Sequence, residues 1–248
     1  MSSTWDYTDH AGYYSARPNY ADSVIDDLVR HVGAVPSDSC LIADVGAGTG
    51  NLTLMLLGRG LRCVAVEPNA EMRKHGVERT APWNTKWIDG RGEGTGLAAD
   101  SIDWVTMGSS FNTMDRPTAL VECHRILKLR GCFTCMWNHR DLDDPVQQEI
   151  ESLIRRLVPT YDAGTRREDQ TGIIHASRLF SEIRYIEGSQ VVRQSRDNYV
   201  AAWRSTRNLK IHAADRFDSV IEAIDRALEN HPVLELRYTT RSWTARRN

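Results

Sequence analysis

Leu41-Ile-Ala-Asp-Val-Gly-Ala-Gly-Thr-Gly50 is the stretch that decides the fold. A short apolar run meets three alternating glycines, Gly46, Gly48 and Gly50, and gives way to the apolar stretch Leu52 to Leu57. This pattern predicts a strand, a tight turn and a helix. Glycine lets the backbone approach a ligand closely, and a helix N-terminus offers unpaired N–H groups and positive potential. Such a turn, with Ala47 and Thr49 between the glycines, holds either a pyrophosphate or an amino-acid carboxylate. Spacing separates the two. Dinucleotide sites run Gly-x-Gly-x-x-Gly, whereas Asn51 stands here at the last of those positions. Asp44, at the strand end, would repel a pyrophosphate but accept a hydrogen bond from an ammonium. Glu67 closes the following strand, 21 residues after Gly46, placed to accept from ribose hydroxyls.

Outward from this turn the alternation repeats. Cys63 to Val66 reads as a strand and Ala70 to Glu78 as a helix. Lys86 to Ile88 and Ile102 to Met107 read as strands. Asp115 is placed to cap a helix that has Pro117 in its first turn and runs to about Lys128. Cys132 to Trp137 follows as a fifth strand. Strands separated by helices imply a mostly parallel sheet covered on both faces, hence an α/β doubly wound fold. The apolar runs Ile183 to Val192 and Val233 to Thr239 are candidates to extend it. The chain reads as a single domain: a cap over residues 1–35, a core over 36–140, and helical insertions at 141–180 and 195–231. The insertions lie over the carboxyl ends of the strands, where open α/β sheets bind ligands.

Composition narrows the function. The 248 residues are 41% hydrophobic and 26% charged, with a net charge of -2, which argues against a nucleic-acid duplex as substrate. No run approaches the roughly 18 to 20 apolar residues of a membrane span, and the N-terminus has no signal-like pattern. The expected location is therefore cytoplasmic, with no membrane partner, as a monomer or homodimer. Arg237, Arg241, Arg246 and Arg247 form a basic cluster expected to be a solvated strand edge and tail. Of five cysteines, Cys132 and Cys135 have suggestive spacing, but residues three apart on a strand face opposite ways. They are expected to be buried thiols, and no metal site is expected.

The sequence resembles the class I S-adenosylmethionine-dependent methyltransferases over about residues 7 to 140. The glycine turn carries the likeness with several further stretches. Ala11-Gly-Tyr-Tyr-Ser-Ala-Arg-Pro-Asn-Tyr20 is similar to the family's N-terminal cap, in which Tyr14 and Arg17 would face the methionine end of the cofactor. Glu67-Pro68-Asn-Ala-Glu-Met72 is similar to its acidic ribose motif, with Met72 near the adenine. Gly90-Arg-Gly92-Glu93 stands where the family surrounds that ring. Ser101 to Thr106 matches its fourth strand, and Glu122 to Lys128 the helix before the fifth. Ser109-Ser-Phe-Asn112 follows strand four, where many relatives carry a histidine. The resemblance implies a seven-stranded Rossmann-like sheet with one antiparallel strand, S-adenosyl-L-methionine as cofactor, S-adenosyl-L-homocysteine as product, and a small-molecule methyl acceptor. The nearest likeness is to the trans-aconitate and quinone-precursor group, implying an O-methyl transfer to a carboxylate, phenol or other natural-product acceptor. A fold that binds the cofactor for regulation without turnover is the alternative. A dinucleotide oxidoreductase is disfavoured by Asn51 and Asp44.

Methyl transfer from a sulfonium asks mainly for orientation, and for a base only when the acceptor keeps its proton. His139, after strand five, and His10, in the cap, are the candidate bases. Tyr13, Tyr14 and Trp137 offer aromatic faces to the sulfonium. Asn112, Asn138, Arg140, Trp203 and Arg204 are the remaining candidates for the acceptor side, with Arg140 an anchor for an acidic substrate.

Overall fold

The computed structural model describes residues 11–37, 39–162 and 164–248. Seven strands form one sheet: β1 (Leu41–Val45), β2 (Arg62–Val66), β3 (Lys86–Ile88), β4 (Ile102–Gly108), β5 (Leu127–Arg140), β6 (Phe180–Ser195) and β7 (Val233–Arg247). Their order is β3-β2-β1-β4-β5-β7-β6. The pairs among the first five are parallel, and β7 runs antiparallel to both β5 and β6. The chain winds one way from β1 to β3 and the other way from β4, so a crevice opens beyond the carboxyl ends of β1 and β4.

The helices are α1 (Ala11–Tyr14), α2 (Asp22–Val32), α3 (Asn51–Leu57), α4 (Ala70–Thr80), α5 (Arg116–Ile126), α6 (Pro145–Leu157), α7 (Thr171–Ala176), α8 (Arg196–Arg204), α9 (Arg207–Ala213) and α10 (Phe217–Ala227). Strand alternation sorts the core into two layers. Ile42, Trp104, Cys132 and Met136 pack against α2 and α3. Val45, Val105, Phe133 and Cys135 pack against α5 and α7 on the other face. Cys132 and Cys135 thus point apart, and all five cysteines are free thiols.

Asp115 caps α5 by accepting from the Thr118 amide at 2.9 Å, with Pro117 in the first turn. Several boundaries differ from expectation: β6 and β7 run to Ser195 and Arg247 rather than Val192 and Thr239, and two more differ at the α5–β5 junction. Helix α5 stops at Ile126, and β5 begins at Leu127 rather than Cys132. Leu127 already pairs with Ile102. Arg130, at φ 63°, then absorbs a register shift before Cys132 meets Trp104. Local propensity gives no sign of that bulge; pairing with β4 creates it.

A third cluster lies over the carboxyl ends of the strands, joining α6, α8, α9 and α10 to Leu234, Leu236 and Tyr238 of β7. The expected insertion at 141–180 divides. Its α6 belongs to this overlying cluster, whereas α7 and Phe180 pack into the sheet layer with α5. The C-terminal arginines meet acids at the surface: Arg241 approaches Glu187 at 3.4 Å, Arg246 approaches Glu182 at 3.1 Å, and Arg247 pairs with Asp100. Among the described residues no helix is long and apolar enough to cross a membrane.

Candidate functional site

The glycine turn leaves β1 with its first glycine fully committed to the scaffold. Gly46 has φ 70°, and a Cβ there would stand 2.5 Å from that of Ser110, so only glycine fits. The amides of Gly46 and Ala47 both donate to the Val66 carbonyl, tying the turn to β2. Gly48 differs. Its φ is 57°, and a Cβ would meet only the Met72 sulfur at 3.6 Å, leaving that side open to a cavity of about 220 Å³. Arg79 of α4 fixes the far side, donating to the Thr49 carbonyl at 2.7 Å and to Asn51 Oδ1 at 2.6 Å.

Two acids stand at the cavity wall. Glu67 is buried, and its oxygens accept from the amides of Gly48 at 2.8 Å and Asn69 at 2.9 Å. Burial raises its pKa, and those two amides act in the opposite direction. A carboxylate accepts about four hydrogen bonds, so two backbone donors leave capacity for ligand hydroxyls. Asp44 is 1% exposed and accepts from Thr53 at 2.6 Å and Thr106 at 3.2 Å. Burial pushes its pKa up to about 6, with the threonine hydroxyls opposing. Its position at the strand end follows from β1 running between β2 and β4, which removes it from water.

Tyr14, Arg17 and Ser109 also line the cavity. The Arg17 guanidinium lies 4.0 Å over the Tyr14 ring and binds Ser205 after α8 through Oγ and the carbonyl, joining cap to lid. Ser109 has φ 58° and shares a 3.0 Å hydrogen bond with Tyr20. Opposite, Asn112 accepts from the Trp137 indole at 2.8 Å, and both line the cavity with Asn138 and Arg140. Asn138 spans cap and sheet, donating to the Asn19 carbonyl at 3.0 Å.

Other expected residues lie elsewhere. His139 is buried on β5 and is not among the residues lining the cavity. His10 lies outside the described residues. Gly50, at φ 84°, backs against Trp87 behind the turn. Pro68 lies outside the lining, as does Tyr13, which is exposed. A Cβ on Gly92 would fall 2.1 Å from the Met114 sulfur, and Glu93 accepts from the Asp115 amide at 2.7 Å. That loop is packed against the start of α5 rather than open to the cavity, and Thr95 secures it to Glu122 at 2.8 Å. Arg204 reaches outward to Asp218, while Trp203 is buried beneath Arg140.

The sequence reading missed Arg79, Thr206, Asn208 and Tyr238. Tyr238 belongs to an alternating strand pattern that identifies a face but not what lies above it. The others carry no local signal.

Residues 43–135 match the family described as a methyltransferase domain. An uncharacterised methyltransferase of Mycobacterium bovis is 36% identical over 129 residues, which is 52% of this chain and 50% of that protein. The ubiquinone/menaquinone biosynthesis C-methyltransferase UbiE of Rubrivivax gelatinosus is 33% identical over 104 residues, or 42% of this chain and 41% of that one. The chain therefore spans about half the length of the curated relatives it matches. The crystal structure of the YcgJ protein of Bacillus subtilis superposes with a TM-score of 0.58 at 17% identity, covering 92% of this chain and 99% of that one, a likeness of fold.

Proposed function

Because the chain carries a methyltransferase domain of the class I fold over residues 43–135, we propose that it is an S-adenosylmethionine-dependent methyltransferase acting on a small molecule. The transfer goes to oxygen of a carboxylate, phenol or other natural-product acceptor, and the protein works in the cytoplasm as a monomer or homodimer. The carrying observation is the open side of Gly48 between Asp44 and Glu67, in a cavity closed by the cap and by α8 and α9. A cradle of that width suits the amino-acid half of a sulfonium nucleoside, with Asp44 for its ammonium and Glu67 for its ribose.

When bound, the cofactor supplies an electrophilic methyl group and its leaving sulfur. The chain's residues orient and enclose. Gly48 admits the ligand to the backbone, and Glu67, preset by two amides, grips hydroxyls. Tyr14 and Trp137 offer ring faces to positive charge. In this reading the chemistry rests on positioning an acceptor about 3 to 3.5 Å from the methyl carbon.

Thermal melts with S-adenosylmethionine, S-adenosylhomocysteine and NAD(H) test this reading. The first two should each stabilise by about 2.7 kcal/mol at one hundred times Kd, and NAD(H) should do nothing. Stabilisation by NAD(H) alone would overturn the proposal. Binding without product formation across a broad acceptor panel would favour the regulatory alternative.

A further inference from the structure

Arg140 is the last residue of β5 and pairs across the sheet with Tyr238 of β7. Its guanidinium carbon lies 3.6 Å from the centre of the Trp203 ring and 5.9 Å from that of Tyr199, both on α8. Arg17, the cavity arginine on the cap side, is hydrogen-bonded to Ser205. Arg140 is in a different condition. Among the described residues its Nε has no hydrogen-bond partner, and no carboxylate lies within ion-pairing distance. The acid whose charge it feels, Glu151, is held by Arg155 at 2.9 Å.

The groups around it are also unsatisfied. The hydroxyls of Tyr199, Tyr238 and Tyr161 and the indole N–H of Trp203 make no hydrogen bond of good geometry among the described residues, though the four residues are at most 3% exposed; Tyr199 approaches Trp203, and Tyr238 approaches Arg140 and Gln194. A buried unpaired hydroxyl costs about 1 to 3 kcal/mol and a buried unpaired charge costs more. Folded proteins leave few such groups, so several around one cation form a site whose ligand completes it.

We propose that this end of the cavity is the acceptor's anion-recognition site: Arg140 forks onto a carboxylate of the substrate, Trp203 stacks beneath the guanidinium, and Tyr238, which lines the cavity beside Arg140, donates to a bound oxygen. A planar guanidinium matches a planar carboxylate through two parallel hydrogen bonds. The indole face holds the guanidinium plane without competing for its N–H groups. The substrate class thereby narrows to small carboxylic acids. This rests on the methyltransferase reading only in calling the bound acid a methyl acceptor.

The test uses the full chain saturated with S-adenosylhomocysteine, titrated calorimetrically with benzoate, trans-cinnamate and succinate, with the matching amides, and with inorganic phosphate. At least one carboxylate should bind, its amide at least about tenfold more weakly, a difference of about 1.4 kcal/mol. Arg140→Gln should lose that carboxylate by about tenfold or more while keeping its affinity for S-adenosylhomocysteine. Tyr238→Phe, which keeps the ring, should lose about threefold to tenfold and carries the test if Arg140→Gln does not fold. The proposal falls if no carboxylate binds, if amides or phosphate bind as well, or if both variants bind like the parent. Failure of S-adenosylhomocysteine itself to bind would sink the methyltransferase reading instead.

Discussion

The two ends of the cavity are built on different principles. At the cofactor end, backbone does the holding: Gly46 is wedged against Ser110, two amides of the turn clasp Val66, and two more preset Glu67. At the lid end, side chains from three separated segments converge on Arg140, and among the described residues several of their polar atoms make no hydrogen bond of good geometry. A backbone cradle complete without its ligand suits a component common to many enzymes. A set of unsatisfied side chains suits the component that differs between them. The substitutions below break or sharpen that contrast.

Gly48→Val should have the largest effect. It places a branched side chain at φ 57° and fills the open side of the turn, so S-adenosylhomocysteine affinity should fall by more than about a hundredfold. Unchanged affinity in a folded variant would refute the cradle.

Glu67→Ala removes an acceptor of two backbone amides as well as the ribose grip, and should cost about 1.5 to 3 kcal/mol of binding. An equal dissociation constant by calorimetry would show that the acid points elsewhere.

Asp44 ties the cofactor end to pH. Its folded pKa of about 6 lies above its ordinary 3.8, so the folded chain holds the proton more tightly. Stability from this group is greatest at low pH and declines as pH rises from about 4 to about 6. An ammonium beside the ionised acid reverses the preference, so cofactor affinity should climb through that same upper range and level off above about pH 7. Asp44→Asn should flatten the affinity profile and raise the melting temperature of the ligand-free protein at neutral pH. A slope that persists in the variant would assign the titration to another group.

His139→Gln is expected to have the smallest effect, because the residue is not among those lining the cavity. Turnover at saturating acceptor should stay within about twofold. A tenfold loss with normal cofactor affinity would restore the histidine to the reaction.

The cofactor end was legible in the sequence because its determinants are consecutive. Gly46, Gly48 and Asp44 occupy five neighbouring positions, and Glu67 follows after one helix and one strand. Strand alternation also places Cys132 and Cys135 on opposite faces. The acceptor end was legible only in part. Arg140 and Trp203 could be singled out, but not their stacking, nor Tyr238 beside them. His139 looked well placed because sequence order gives its neighbourhood and not its face. Nothing in the sequence signals that the Glu93 carboxylate accepts from the Asp115 amide at the start of α5.

By itself the sequence determined the alternation of strands and helices, the glycine turn and the two acids, because strand period, turn conformation and helix capping depend on residues close along the chain. Only the tertiary structure decided that α8 lays an indole under Arg140, and that phenols 39 residues apart at 199 and 238 flank the same guanidinium. Those arrangements arise when distant segments bury apolar surface together, and no local preference encodes what meets across that burial.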